Sequence, residues 1–167
     1  MYDELTEVDL KKMQDEIDHR ILVLRPQYIE EVKSARAFGD LSENFEYKEA
    51  KRQKNRNESR IRYLQRMIKT AKVVQTDHAA GSVGLFDTVR LYLPEDDEEM
   101  ELKLVTTLRV DAGSGLISRE SPLGSAIFGH SVGETVQVEV RPGFSYPVTI
   151  RSIEPGCDDA SLPISQY

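Results

Sequence analysis

Asp40 and Glu43 stand three residues apart in the stretch Gly39-Asp40-Leu41-Ser42-Glu43-Asn44-Phe45-Glu46-Tyr47. Carboxylates are hard oxygen ligands of the kind Mg²⁺ takes. That ion commonly uses one or two of them and fills its other positions with water and phosphate oxygens. Two carboxylates on a loop can therefore complete a metal site that lies mostly on another molecule, where a second ion activates water against a phosphodiester. Two exposed carboxylates are not a cage. The expectation is poor Mg²⁺ binding by the free chain and no nuclease activity by the chain alone. A plainer reading exists: Asp40 caps a helix and Glu43 sits at its third position, both favoured by the helix dipole.

Basic residues surround this pair. Residues 48–72 hold 10 Lys/Arg and 2 Asp/Glu, a net +8. Residues 1–76 as a whole carry 16 Lys/Arg and 14 Asp/Glu, and residues 77–167 carry 6 and 15, giving +2 and −9 of the chain's −7. The asymmetry suggests a local contact with nucleic acid; a solvated Lys/Arg helix face is the alternative. Cys157 is the one cysteine, and His19, His78 and His130 are scattered, so no zinc pattern is present. No run of 18 apolar residues occurs, and the acidic N-terminus lacks an apolar signal core, which points to a cytoplasmic protein without a membrane contact.

Two long helices must hold this loop. Thr6 and Asp9 approximate a capping box. Leu10, Met13, Ile17, Ile21, Leu24, Tyr28, Val32 and Ala35 then follow at spacings of three and four, one apolar stripe. Pro26 interrupts it and predicts a kink near residues 22–26. Gly39 stops the helix. The second helix is expected from about Asp40–Ser42 to Lys72, with Tyr47, Ala50, Lys54, Asn57, Ile61, Leu64, Ile68 and Ala71 at heptad spacing. Polar Lys54 and Asn57 in that seam predict a hairpin loosest midway and tightest at its base. Each arm would be about 45 Å long at ~1.5 Å per residue. A coiled coil of this kind also suits a scaffold or spacer.

Beyond residue 76 the period changes from 3.6 to 2. Thr88–Leu93 and Met100–Val105 alternate around an acidic turn, a β-hairpin. Thr107–Val110 and Leu116–Ser118 are further short strand candidates. Ser121-Pro122-Leu123-Gly124-Ser125-Ala126-Ile127-Phe128-Gly129 has a serine cap, an N-terminal proline and a closing glycine, a short helix. Thr135–Val140 and Tyr146–Ile153 complete an antiparallel sheet. The expected class is α+β: a helical hairpin over 1–76, a small sheet domain with one short helix over 77–155, and a polar, poorly ordered tail over 156–167.

Two stretches resemble one family. The loop from Gly39 to Tyr47, followed by Arg60-Ile61 and Ala71-Lys72-Val73, is similar to the hairpin of the bacterial Gre transcript cleavage factors. Gly115-Leu116-Ile117-Ser118, Ser121 to Ile127 and Val132-Gly133-Glu134 resemble their C-terminal domain. The resemblance spans roughly residues 6–155 in the same order.

It implies an FKBP-like second domain and a factor that binds backtracked bacterial RNA polymerase. The hairpin enters the secondary channel, and Asp40 and Glu43 help hold a second Mg²⁺ in the polymerase's active site, so that the RNA 3′ end is cleaved and elongation resumes. Asn44 and Tyr47 would support the tip. Arg36 and Lys51 match basic residues that contact the RNA 3′ segment, and Arg52, Lys54 and Arg56 extend the patch. Lysine at 51 keeps charge but loses bidentate phosphate geometry. Ser121, Pro122, Leu123 and Gly124 match the part that docks on the channel rim; packing at a helix start explains each of them equally. The factor is expected to be a monomer that stimulates another enzyme. Rival readings are a Gre-like inhibitor that plugs the channel, against which both carboxylates are kept, and a peptidyl-prolyl isomerase, against which no aromatic-rich pocket is present.

Overall fold

The computed structural model describes residues 3–39, 44–76, 78–158 and 160–166. They divide into a helical unit, Leu10–Ala71, and a sheet unit that joins Asp3–Asp9 to the chain from Lys72 onward.

The first helix, α1, runs Glu7–His19. It starts on the expected box. The Thr6 N–H donates to Asp9 Oδ2 at 3.0 Å and the Asp9 N–H donates to Thr6 Oγ1 at 3.2 Å. The interruption expected at Pro26 takes the form of a π-helical turn, Arg20–Leu24, leading into α2, Arg25–Arg36. In that turn the Arg25 N–H donates to the Arg20 carbonyl, five residues back. The wider spacing places Pro26 in the first turn of α2, where its missing N–H is not needed.

The second long helix, α3, is Phe45–Thr70. Its start lies later than the sequence suggested, because Asn44 takes the cap. Cross-links between Glu16 and Arg60, Arg20 and Asn57, and Ala35 and Asn44 run in opposite sequence directions, so the helices are antiparallel. Met13, Ile17, Ala35, Ile61 and Leu64 are buried, and every residue of the predicted α3 stripe is buried or half-buried.

Midway, however, the seam is polar rather than loose. Asn57 is 2% exposed. It accepts from Arg20 Nη1 at 3.0 Å and donates to the Arg20 carbonyl at 3.3 Å, so it pins the π turn. Glu16 receives Arg60 at 2.9 Å and Arg20 at 2.7 Å, and Arg25 pairs with Glu58 through two bonds of 2.7 and 2.9 Å. Polar seam residues with partners fix register without leaving a gap.

In the sheet unit, β1 (Glu4–Leu5) pairs in parallel with β2 (Lys72–Val73), two residues each and too short for any sequence pattern. The main sheet holds β3 (Thr88–Leu93), β4 (Glu98–Val105), β5 (Leu116–Ser118), β6 (Thr135–Arg141) and β7 (Phe144–Glu154) in the order β5-β4-β3-β7-β6. It is antiparallel from β4 to β6, as expected, and β5 adds a parallel edge on β4. Val89, Leu91, Leu102, Leu104, Val138, Val148 and Ile150 fill the core, closed by Ile127 from α4, Pro122–Ile127.

Two expectations are corrected. Thr107–Val110 is no strand: Thr107–Arg109 is a 3₁₀ turn that carries Arg109 inward to 1% exposure, where it meets Asp9 at 2.6 Å. The segment after Pro155 is not a loose tail. Asp158 pairs with Arg109 at 2.6 Å and Leu162 packs on Leu85, Phe86 and Val105. An acid for a buried arginine and one apolar anchor hold it, and its average polarity conceals both. Among the described residues no helix is long and apolar enough to cross a membrane.

Candidate functional site at the hairpin neck

Asp40 and Glu43 lie outside the described residues, with Leu41 and Ser42 between them. What is described is the neck that carries them. On the near side α2 ends as its last N–H groups fold onto Lys33, Ser34 and Ala35, and Gly39 follows at φ +115°, a conformation that suits glycine. On the far side Asn44 is extended and caps α3: its Oδ1 accepts the Tyr47 N–H at 3.1 Å. The same side chain donates from Nδ2 to the Ala35 carbonyl at 2.8 Å, across the hairpin. Asn44 is thus bonded to both helices and ties the start of α3 to the end of α2. Aspartate at this place would cap equally well but could not donate, which explains why the amide holds it.

Tyr47 lies one turn further. Its phenol is pulled below the ordinary tyrosine range, first by a hydrogen bond from Arg36, against burial, and then by the charges of Lys51, Arg36 and Lys54. The Arg36 guanidinium sits 5.8 Å from its ring centroid. Three of the five basic residues read from the sequence, Arg36, Lys51 and Lys54, therefore gather around one phenol. Arg52 and Arg56 face elsewhere: Arg52 bonds Glu49, whose carboxyl lies below its usual range because of Gln53, Arg52 and the charge of Arg56. A cluster of exposed or half-exposed cations suits a phosphate, and among the described residues none of the three, Arg36, Lys51 and Lys54, is ion-paired to a carboxylate.

Sequence reasoning overlooked Phe38 and Phe45. They are 78% and 75% exposed, the most exposed aromatic side chains of the helical unit, and they flank the loop on its two sides. Phe38 also lines a shallow groove of about 520 Å³ with Ala35, Glu46 and Ala50. Exposed rings beside cations are platforms on which bases stack. The available signal was their place on either side of residues 39–44, past the last residue of one apolar stripe and before the first of the other.

The second group of predicted site residues has a strong packing role. Ser121 Oγ accepts the Gly124 N–H at 3.0 Å and donates to the Ser118 carbonyl at 2.7 Å. Gly124 is buried, and a Cβ there would lie 2.1 Å from the Ser118 carbonyl oxygen. Leu123 packs half-buried on the main core, which leaves Pro122 as the exposed member of the four. Among the described residues no three His, Cys, Asp or Glu side chains group as metal ligands.

Comparison with known proteins adds two family matches that nearly cover the chain: "Transcription elongation factor, N-terminal" over residues 4–73 and "Transcription elongation factor, GreA/GreB, C-term" over residues 78–155. The chain is 42% identical over 140 residues to transcription elongation factor GreA of Caldanaerobacter subterraneus subsp. tengcongensis, covering 83% of this chain and 89% of that one. It is 37% identical over 154 residues to GreA of Mycoplasma mycoides subsp. mycoides SC, covering 90% and 96%. A solved structure of the transcription factor Gfh1 covers 93% of this chain and 99% of its own, with 20% identity and a TM-score of 0.46.

Proposed function

The chain belongs to the GreA/GreB family of transcription elongation factors, and from that premise we propose that it works by carrying Asp40 and Glu43 into the active centre of RNA polymerase through the secondary channel. There the two carboxylates help hold a second Mg²⁺, and the polymerase cleaves its own backtracked RNA. The chain is a transcription elongation factor; it stimulates a partner's nuclease and has none of its own. It meets the polymerase in the cytoplasm as a monomer.

The observation that carries this reading is the neck. Asn44 ties the two helices together next to the residues that bear the two carboxylates, and Arg36, Lys51 and Lys54 collect beside it around Tyr47. Carboxylates suit the ion, and cations suit the phosphates of the RNA 3′ segment. The donor set fits Mg²⁺, which needs only one or two protein carboxylates when phosphates and water supply the rest. When bound, that ion supplies activation of the attacking water. The chain's own residues do three things. Asp40 and Glu43 present oxygens, Asn44 and Tyr47 hold the loop base and Arg36, and Arg36 with Lys51 and Lys54 binds the RNA backbone without reading sequence. Arg52 and Arg56, turned toward Glu49, add positive charge beside that cluster rather than within it. On the second domain, Pro122 presents the rim-docking surface that Ser121, Leu123 and Gly124 shape from within.

The test uses stalled, backtracked polymerase complexes. Added protein should shorten the RNA. Asp40→Ala and Glu43→Ala should abolish cleavage and leave polymerase binding intact. A double alanine variant that cleaves as well as the parent sinks the metal role, and a parent that only slows elongation is an inhibitor.

A further inference from the structure

Both family matches end by residue 155, and the chain continues. We propose that one face of the sheet unit is a peptide-docking groove whose occupant is the chain's own segment 156–166. The floor of the groove is Leu85, Phe86 and Val105, and its wall is Arg109, whose guanidinium lies 5.0 Å from the Phe86 ring centroid. Phe86 is fully buried with φ +66°, a backbone conformation in which a bulky side chain is a genuine outlier. The surroundings hold it there: its N–H donates to the Leu104 carbonyl at 2.6 Å, and the next residue, Asp87, is fully buried. Strain of this kind persists where a surface has a use.

The segment enters at Gly156. Its N–H donates to Asp87 Oδ1 at 3.0 Å, and a Cβ there would lie 1.8 Å from the Phe86 carbonyl oxygen, so no side chain fits. Two residues on, Asp158 pairs with Arg109 at 2.6 Å. Leu162 then lies on the apolar floor, and the Ser165 N–H donates to the Leu108 carbonyl. A glycine, an acid and a leucine at spacings of two and four thus meet a backbone carbonyl, a buried arginine and an apolar floor, in that order. This is a recognition pattern, not a general polar tail.

The docking is reversible for an electrostatic reason. Arg109 also pairs with Asp9 at 2.6 Å, and both are fully or almost fully buried. When the segment leaves, the arginine keeps one carboxylate, so release does not strand a bare buried charge. The segment follows β7 directly, which gives an effective concentration in the mM range and lets a modest intrinsic affinity keep it seated. The groove accepts a short acidic peptide with a leucine four residues after the acid, and the chain fills it in cis.

The experiment uses the full chain. Hydrogen exchange is measured on the parent, on the double variant Asp158→Asn/Leu162→Ala, and on Gly156→Ala, which displaces the segment sterically without touching a charge. A fluorescent peptide of residues 155–167 is titrated into each. Exchange over 160–166 should quicken at least tenfold in both variants while β3 and β7 stay protected, and the peptide should bind the double variant at least tenfold more tightly than the parent. Equal exchange over 160–166 in parent and variants overturns the proposal. So does opening of β3 and β7 together with the segment, which would make it ordinary core, and so does equal peptide binding to all three proteins.

Discussion

Asn44→Ala should loosen the neck of the hairpin by about 2 kcal/mol. The side chain makes two bonds of different kinds. As N-cap it satisfies the Tyr47 N–H, and alanine at a cap costs roughly 1 kcal/mol. As tether it donates to the Ala35 carbonyl at 2.8 Å in a half-buried position, a bond worth about 1 kcal/mol net. Losing both changes the ratio of closed to frayed neck about 30-fold, since every 1.4 kcal/mol is tenfold. Asn44→Ser separates the two, because serine caps as well as asparagine but cannot reach across; it should lose about 1 kcal/mol, or about fivefold. The assay is hydrogen exchange at Tyr47 and Lys48, whose N–H groups bond to Asn44 atoms, beside transcript cleavage at fixed Mg²⁺. Both readouts should rank parent, serine, alanine. Unchanged exchange at Tyr47 in the alanine variant refutes the cap. A serine variant as tight as the parent refutes the tether as a separate contribution.

Acid should melt the hairpin through its salt bridges. Burial pushes Glu16 up, but the bonds and charges of Arg60 and Arg20 together outweigh it and hold it below 4.5, while Arg25 lowers Glu58. A depressed carboxylate stabilises above its ordinary value and loses that stability as pH falls through the folded one. Helicity by circular dichroism should therefore drop below about pH 4.5, and Glu16→Gln/Glu58→Gln should flatten the acid limb. Gly124→Ala drives a Cβ toward the Ser118 carbonyl; overpacking of about 2 kcal/mol should lower the melting temperature of the sheet unit by several degrees in calorimetry. Arg36→Ala should weaken factor binding to backtracked complexes and reduce the salt slope by about one, without dependence on RNA sequence. Tyr47→Phe keeps the ring but frees Arg36, so it should raise the factor concentration for half-maximal cleavage and leave the maximal rate near the parent's.

The helical unit was legible because its information is periodic. The sixteen apolar and seam positions from Leu10 to Ala71 could be read at spacings of three and four, and all of them are buried or half-buried. Periodicity does not tell how a polar seam residue is satisfied. Asn57 looked like a weak point, yet its partner Arg20 lies 37 residues away on a π turn that Pro26 creates. The alternating strands were legible for the same reason, and β5 was found although its parallel pairing was not. Thr107–Val110 misled because alternation over four residues cannot report that Arg109 turns inward to an aspartate 100 residues back.

The site divides along the same line. Capping is local, and Tyr47, Lys51 and Lys54 follow one another at spacings of four and three on one helix, whereas Arg36, on the other helix, was singled out through the family resemblance. Their division was not local in the same sense: Glu49 draws Arg52 away while Tyr47 collects Arg36, and only side-chain directions decide that. The two carboxylates pose a different problem. On the proposed reading they are half of a metal site, and half a site need not form a complete ligand cluster in the free protein, because the other half belongs to another molecule. Its physical trace in the free protein is therefore the frame that holds it. Here the frame is an asparagine bonded to both helices, with a cation cluster on one side and two exposed phenylalanines around it. A loop that served only to join two helices would need the cap. It would not need the second bond to Ala35 or three cations drawn together beside it.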